Sequence, residues 1–297
     1  IFASVSVTQV SSEKVAQAAD LSWENSSNLS CNCLGIGYGA GKFVMFGQNS
    51  KGFTSTDGLN WTQVSSASSG LASRTQDRIK AIIWGTWNGG EFLAFHEGEN
   101  KSYTSANGET WSTVTRSVPS GGVTVAAFGA NNYVITSGKN IYHSRDPSAT
   151  TWNLAQLPFS SSSLNTNWST LAFYGDHFVV AAGKTVLTST NGIDWTGSIN
   201  NLPSTGVWYR SSGGLVGATP TFILVQGGNS TVSSSQASVI YGQLIAGAWS
   251  WSQSAQGSWP TSLSFNGATF AFNRFWIQER GAPGKIWSSP DGTSWNQ

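Results

Sequence analysis

The chain has 297 residues, a net charge of +1, and charged side chains at only 10% of positions, against roughly 25% in ordinary soluble domains. So sparse a charge excludes the Lys/Arg footprint of a general nucleic-acid binder and a polybasic membrane anchor, and 15 Trp, 15 Phe and 7 Tyr supply too much apolar area for disorder. No stretch is long and apolar enough to cross a membrane, and two cysteines build neither a disulfide framework nor a four-thiolate zinc site.

In chain order, residues 1–23 form an N-terminal segment that begins with Ile, as expected of a processed or truncated product. Its one weak helical stripe covers 13–19, and it ends at Trp23. Cys31-x-Cys33 opens the first strand with both thiols on one side, as buried thiols or as a disulfide. From there short runs rich in Val, Ile, Phe and Thr read as strands, among them 43–46, 79–84 and 178–181. They are punctuated by hairpin turns such as Gly39-Ala40-Gly41-Lys42, Gly129-Ala130-Asn131-Asn132 and Gly175-Asp176. Gly and Asn suit such turns because they tolerate positive φ.

The chain repeats. Ser55-Thr56-Asp57-Gly58-Leu59-Asn60-Trp61 aligns with Ser105-Ala106-Asn107-Gly108-Glu109-Thr110-Trp111. Ser189, Asn191, Gly192 and Trp195 repeat the pattern, as do Ser289, Asp291, Gly292 and Trp295. A looser copy runs from Ser144-Arg145-Asp146-Pro147 to Trp152, and an eroded one is expected to end at Trp251. The Trp spacings are 50, 41, 43, 56 and 44 residues, the length of one four-stranded blade. Phe43, Phe92, Tyr133, Phe178 and Phe275 stand 17 to 20 residues ahead of their Trp. The physical reading is a stapled hairpin between a blade's third and fourth strands. Asp or Asn accepts backbone N–H bonds, Gly takes a left-handed conformation, and Trp packs while donating its indole N–H.

These motifs resemble the Asp-box (BNR) repeat of sialidase-like β-propellers, in the shorter form found in bacterial surface proteins and phage tail-fibre proteins. The resemblance implies an all-β propeller of four-stranded antiparallel blades, covering 24–61, 62–111, 112–152, 153–195, 196–251 and 252–297 in a single domain. Segment 1–23 would close the ring by adding a strand to the last blade, removing an open edge. A seven-blade count, with 1–23 in the seventh blade, is the rival. The resemblance also makes the boxes structural and puts ligands on the opposite face, with the inter-blade links and second-to-third-strand loops.

A sialidase needs three arginines converging on a carboxylate, a Tyr–Glu pair and an acid/base Asp. Arg74, Arg78, Arg116, Arg145, Arg210, Arg274 and Arg280 lack that context. Glu97, Glu99 and Glu279 read as solvated loop carboxylates, and His96, His143 and His177 have no metal spacing. No catalytic residue, metal or cofactor is assigned. Trp168, Trp208, Tyr209, Arg210 and Trp259 are the ligand-binding candidates, because an aromatic platform rimmed by amides and hydroxyls suits a sugar. The expectation is a non-catalytic module outside a cell or on a virion. It would bind a surface glycan or a protein receptor, beside neighbouring subunits of a fibre or surface assembly, with no nucleic-acid or membrane partner. A sialidase-type hydrolase and a purely structural decoration module are the alternatives.

Overall fold

The computed structural model describes residues 33–47, 52–64, 79–86, 89–96, 101–115, 122–146, 148–203, 208–227, 239–254, 265–279 and 285–297. The expected closing segment 1–23 and Cys31 lie outside these residues. Every strand pairs antiparallel with its chain neighbours, giving six small sheets. The first holds β1 (Cys33–Gly39), β2 (Lys42–Gly47), β3 (Gly52–Ser55) and β4 (Thr62–Val64). The second holds β5 (Ile79–Gly85), β6 (Glu91–His96), β7 (Lys101–Ser105) and β8 (Ser112–Thr115). The third holds β9 (Ala126–Gly129), β10 (Asn132–Ser137), β11 (Asn140–Ser144) and β12 (Asn153–Leu154). The fourth holds β13 (Thr170–Tyr174), β14 (His177–Ala182) and β15 (Thr185–Ser189). The fifth holds β16 (Trp208–Val216), β17 (Thr219–Gln226), β18 (Val239–Ile245) and β19 (Ala248–Gln253). The sixth holds β20 (Phe265–Ala271), β21 (Arg274–Glu279) and β22 (Ile286–Ser289). The fold is an all-β propeller of six blades, with three or four strands in each.

The chain divides into two compact units, the first holding the first three blades and the second the last three, with residues 138–140 counted in the second. Within each, the second strand of a blade is the core strand. β6, β10, β14 and β17 are buried at nearly every position, so they read as continuous apolar runs instead of alternating ones. Fourth strands such as β8 and β12 are largely exposed. Each follows its Trp and pairs with the third strand before it, so a blade ends one strand beyond the Trp.

First strands of neighbouring blades approach closely. A Cβ on Gly39 of β1 would overlap the Trp84 ring of β5, and one on Gly214 of β16 would overlap Phe270 of β20. Backbone without a side chain is what lets those rings in. At one end of the blades the hairpins are minimal. Ala40-Gly41, Ala130-Asn131, Ala246-Gly247 and Phe272-Asn273 each place two consecutive residues at positive φ, as tight hairpins require.

The expected sixth copy of the turn is corrected. In the fifth blade β18 and β19 join directly through Ala246-Gly247, and Trp251 lies mid-strand opposite Gly242. Trp249, not Trp251, is the ring that meets Phe222, at 5.5 Å between centroids. A plain hairpin needs no Asp or Gly at the motif positions, so the sequence pattern dissolved there.

Among the described residues the fourth and sixth blades show no full fourth strand, only single bridges, Thr188 with Thr196 and Ser288 with Asn296. Between the Thr188 bridge and the Leu202 N–H bond to the Lys184 carbonyl, the edge of β15 is closed by a side chain. Val186 N–H donates to Asn201 Oδ1 at 2.8 Å, and Asn201 Nδ2 donates to the Val186 carbonyl at 2.8 Å.

Candidate functional site

Four copies of the turn share one hydrogen-bond scheme. Ser55 Oγ accepts from Gly58 N–H at 2.8 Å, and Asp57 Oδ1 accepts from Leu59 and Asn60 N–H, each at 2.8 Å. Trp61 Nε1 donates to the Gly58 carbonyl at 2.9 Å. Ser105, Asn107, Gly108 and Trp111 repeat it, as do Ser189, Asn191, Gly192 and Trp195, and Ser289, Asp291, Gly292 and Trp295. The glycines sit at φ between 74° and 77°. In the looser copy Asp146 Oδ1 instead accepts from Ser148 N–H at 2.8 Å, while Trp152 stays buried. Asp57 also accepts from the Asn60 amide at 2.8 Å, whereas Asn191 donates to Asp194 at 2.9 Å. The same pair is thus built with its two residue types exchanged.

These bonds make the turn acid-sensitive. The Asn60 side chain, then the Asn60 and Leu59 backbone N–H groups, hold the Asp57 carboxyl well below the usual range. At Asp291 burial alone would raise the value, but the Ser294 and Thr293 donors outweigh it and the net shift is downward. A folded pKa below the unfolded value, about 3.9, gives stability that is fully present above it and lost as pH falls through the folded value. Asn107 and Asn191 make the same turn without titrating. Asp57→Asn with Asp291→Asn should therefore flatten the fall in urea midpoint below about pH 4. An acid limb identical to that of the parent would show that these carboxylates do not carry it.

Burial takes Trp168 and Trp208 out of the expected aromatic platform. Trp168 and Trp208 are both 0% exposed. Trp168 donates its indole N–H to the Lys139 carbonyl at 2.9 Å, and Trp208 donates to the Gly183 carbonyl at 2.6 Å. Both carbonyls lie on the second-to-third-strand turn of the preceding blade. Trp208 pairs with Gln226 just ahead of a register shift, the position that Ile79 and Phe265 occupy in their blades. A large group at the start of the first strand fills the gap to the previous blade, and the indole N–H finds a backbone acceptor there. Arg210, two residues after Trp208, is half-buried. The Tyr209 side chain and Trp259 lie outside the described residues, as do Arg74, Arg78, Arg116, Arg280, Glu97 and Glu99.

Two features went unread in the sequence. A cleft of about 560 Å³ lies between the first two repeated turns, lined by Lys42, Thr54, Thr62, Gln63, Glu109 and Thr110 among others. Lys42 Nζ and Glu109 Oε1 are 2.7 Å apart across it. It offers hydroxyl and amide hydrogen bonds to a polar ligand, and its two charges neutralise each other. The second is a Tyr–Glu pair. Burial pushes the Tyr133 hydroxyl up, and the charges of Glu91 and Asp146 push it further. Burial likewise raises Glu91, against a hydrogen bond with Thr104. A nucleophilic Tyr needs the opposite shift, and Tyr133 is 0% exposed beneath Gly85. Among the described residues no three His, Cys, Asp or Glu side chains are placed to hold a metal ion.

No protein-family model and no curated protein matches the chain. Solved structures place the fold among the β-propellers. YCF48 bound to D1 peptide is similar at 15% identity and a TM-score of 0.58, covering 90% of this chain and 82% of that one. An ancestral GH74 enzyme is similar at 14% identity and a TM-score of 0.64, covering 92% of this chain and 42% of that one. A catalytically inactive virginiamycin B lyase from Staphylococcus aureus with quinupristin is similar at 15% identity and a TM-score of 0.64, covering 92% and 86%. At such identities the likeness concerns the fold, which serves binding and catalysis alike.

Proposed function

We propose that the chain is a non-catalytic binding propeller, of the Asp-box kind, that holds a surface glycan or partner protein outside a cell or on a virion. It would serve there as an adhesion or receptor-binding module beside other subunits. The observation that carries this reading is the asymmetry of the connections. At one end the blades carry two-residue hairpins and hydrogen-bonded Trp turns. At the other end, segments of very unequal length join the strands, from 138–139 and 183–184 to 65–78 and 227–238. Variable loops on a rigid scaffold are the usual seat of recognition. The peptide bound by YCF48 supports a protein partner in general terms.

The test replaces 227–238 with a two-residue turn like Gly183-Lys184 and measures binding to cells, glycan arrays and partner proteins. Binding should fall at least about tenfold, equivalent to ~1.4 kcal/mol, with the melting curve unchanged. Undiminished binding would move the site elsewhere. Multiple-turnover hydrolysis of sialosides or other aryl glycosides above background would sink the non-catalytic reading. The burial of Trp168 and Trp208 favours the other alternative, a structural module without a ligand. That reading prevails if the parent chain binds nothing in these assays.

A further inference from the structure

We propose that the outer strand of the fifth blade carries a stacking site for a neutral, hexose-containing glycan, built on Trp249 and Trp251 with the Asp176 carboxylate at its rim. The site lies on β19, apart from the loop end discussed above.

The fifth blade is the one whose Trp turn is replaced by a plain hairpin. Its fourth strand runs for six residues, against three in β4, four in β8 and two in β12. Trp249 and Trp251 are two apart on that strand, so both rings leave the same side. Their centroids are 5.8 Å apart and the planes differ by 24°. Nine other indoles, those of Trp61, Trp111, Trp152, Trp168, Trp195, Trp208, Trp276, Trp287 and Trp295, are at most 8% exposed. Trp249 and Trp251 are only half-buried, and together they are the stacked pair among the described residues. Trp84 is half-buried too, but it is wedged between Gly39 and Gly90 against Phe92.

The pair is held in place before any ligand arrives. Trp251 lies over Gly242, where a Cβ would meet its ring. Trp249 is fixed by Phe222 at 5.5 Å and by the edge-on His177 ring at 5.4 Å. Such preorganisation lowers the entropy lost on binding. Both rings pack at the margin of a core cluster that draws on the fourth and fifth blades, Val179, Ala181 and Val186 from the one and Trp208, Phe222 and Leu224 from the other. Among the described residues the fourth blade has no full fourth strand. His177 Nδ1 is 2.5 Å from the carboxylate of Asp176, whose side chain is 78% exposed.

The chemistry selects the ligand. Indole faces are electron-rich and attract the C–H face of a hexose, while an exposed carboxylate accepts from its hydroxyls. β19 itself carries no charged side chain. Asp176, next to the His177 ring that meets Trp249, puts a negative charge at the rim, which disfavours sialylated, sulfated or phosphorylated ligands. A neutral sugar is what remains.

Native electrophoresis of the full chain through gels containing dextran, laminarin, galactomannan or, as the anionic control, hyaluronan tests this. At least one neutral polymer should retard the chain, hyaluronan should not, and 0.5 M salt should leave the retardation intact, as expected when no ion pair forms. Trp251→Ala should weaken it at least about tenfold, equivalent to ~1.4 kcal/mol, with Trp251→Phe in between. Asp176→Asn, at an exposed site that leaves the core untouched, should weaken it several-fold. The 227–238 replacement should retain full retardation, so this site and the loop-end reading fail separately. The proposal is overturned if no neutral polymer retards the parent, if hyaluronan retards it as strongly, or if a folded Trp251→Ala and Asp176→Asn both migrate as the parent does.

Discussion

Trp111→Ala should lower unfolding free energy by ~3–5 kcal/mol, the usual cost of emptying a large buried aromatic site. Trp111 is 4% exposed. Its ring meets Phe46 of the first blade edge-on at 5.3 Å and Phe92 of its own blade at 6.3 Å. Its indole also donates to the Gly108 carbonyl at 3.1 Å, so truncation opens a cavity between two blades and loosens the turn that closes one of them. Trp61 makes a smaller cluster, with Met45 and Phe53 as its buried partners, and Trp61→Ala should cost less. Urea denaturation read by extrapolation to water checks the order. A Trp111→Ala midpoint equal to that of the parent would remove the ring from the core.

Trp208→Ala should be at least as damaging, by ~3–5 kcal/mol for the lost ring, with about 1 kcal/mol more for the carbonyl left without its donor. The ring is packed among Val179, Ala181, Leu202, Phe222 and Leu224. Its indole N–H reaches the Gly183 carbonyl at 2.6 Å. Trp208→Phe keeps most of the packing and loses the hydrogen bond, so it should fall between the two. Both melts are direct to measure. If Trp208→Ala melts like the parent while binding to cells or glycans disappears, the ring faces a ligand and its packing role is refuted.

The repeated turn was legible in the sequence because its chemistry is local. Ser55, Asp57, Gly58 and Trp61 fall within seven residues, and each has one job that few residue types can do. Blade number and strand character followed from the spacing of those turns. Trp168 and Trp208 were misread because their role is non-local. The acceptors lie 29 and 25 residues away, on another blade, and a Trp before a strand looks the same whether it plugs a gap or meets a ligand. Trp249 and Trp251 were passed over for a related reason. Trp251 reads as the end of a turn, whereas the alternation of Trp249, Ser250 and Trp251 along β19 is what marks two half-buried rings on one side of a strand. The Lys42–Glu109 bridge spans 67 residues and had no signature at all.

Asn201 bears on how an array of this kind changes over evolutionary time. A carboxamide has the same donor and acceptor as a peptide unit, and here it occupies both groups of Val186. One side chain thus does locally what a whole neighbouring strand does elsewhere. A gene duplicating or trimming its repeats can then lose an outer strand in one step without leaving a sticky border for other chains. Copies of unequal length become tolerable, and shortened copies become places where new surface can be tried while the rest of the array keeps its form.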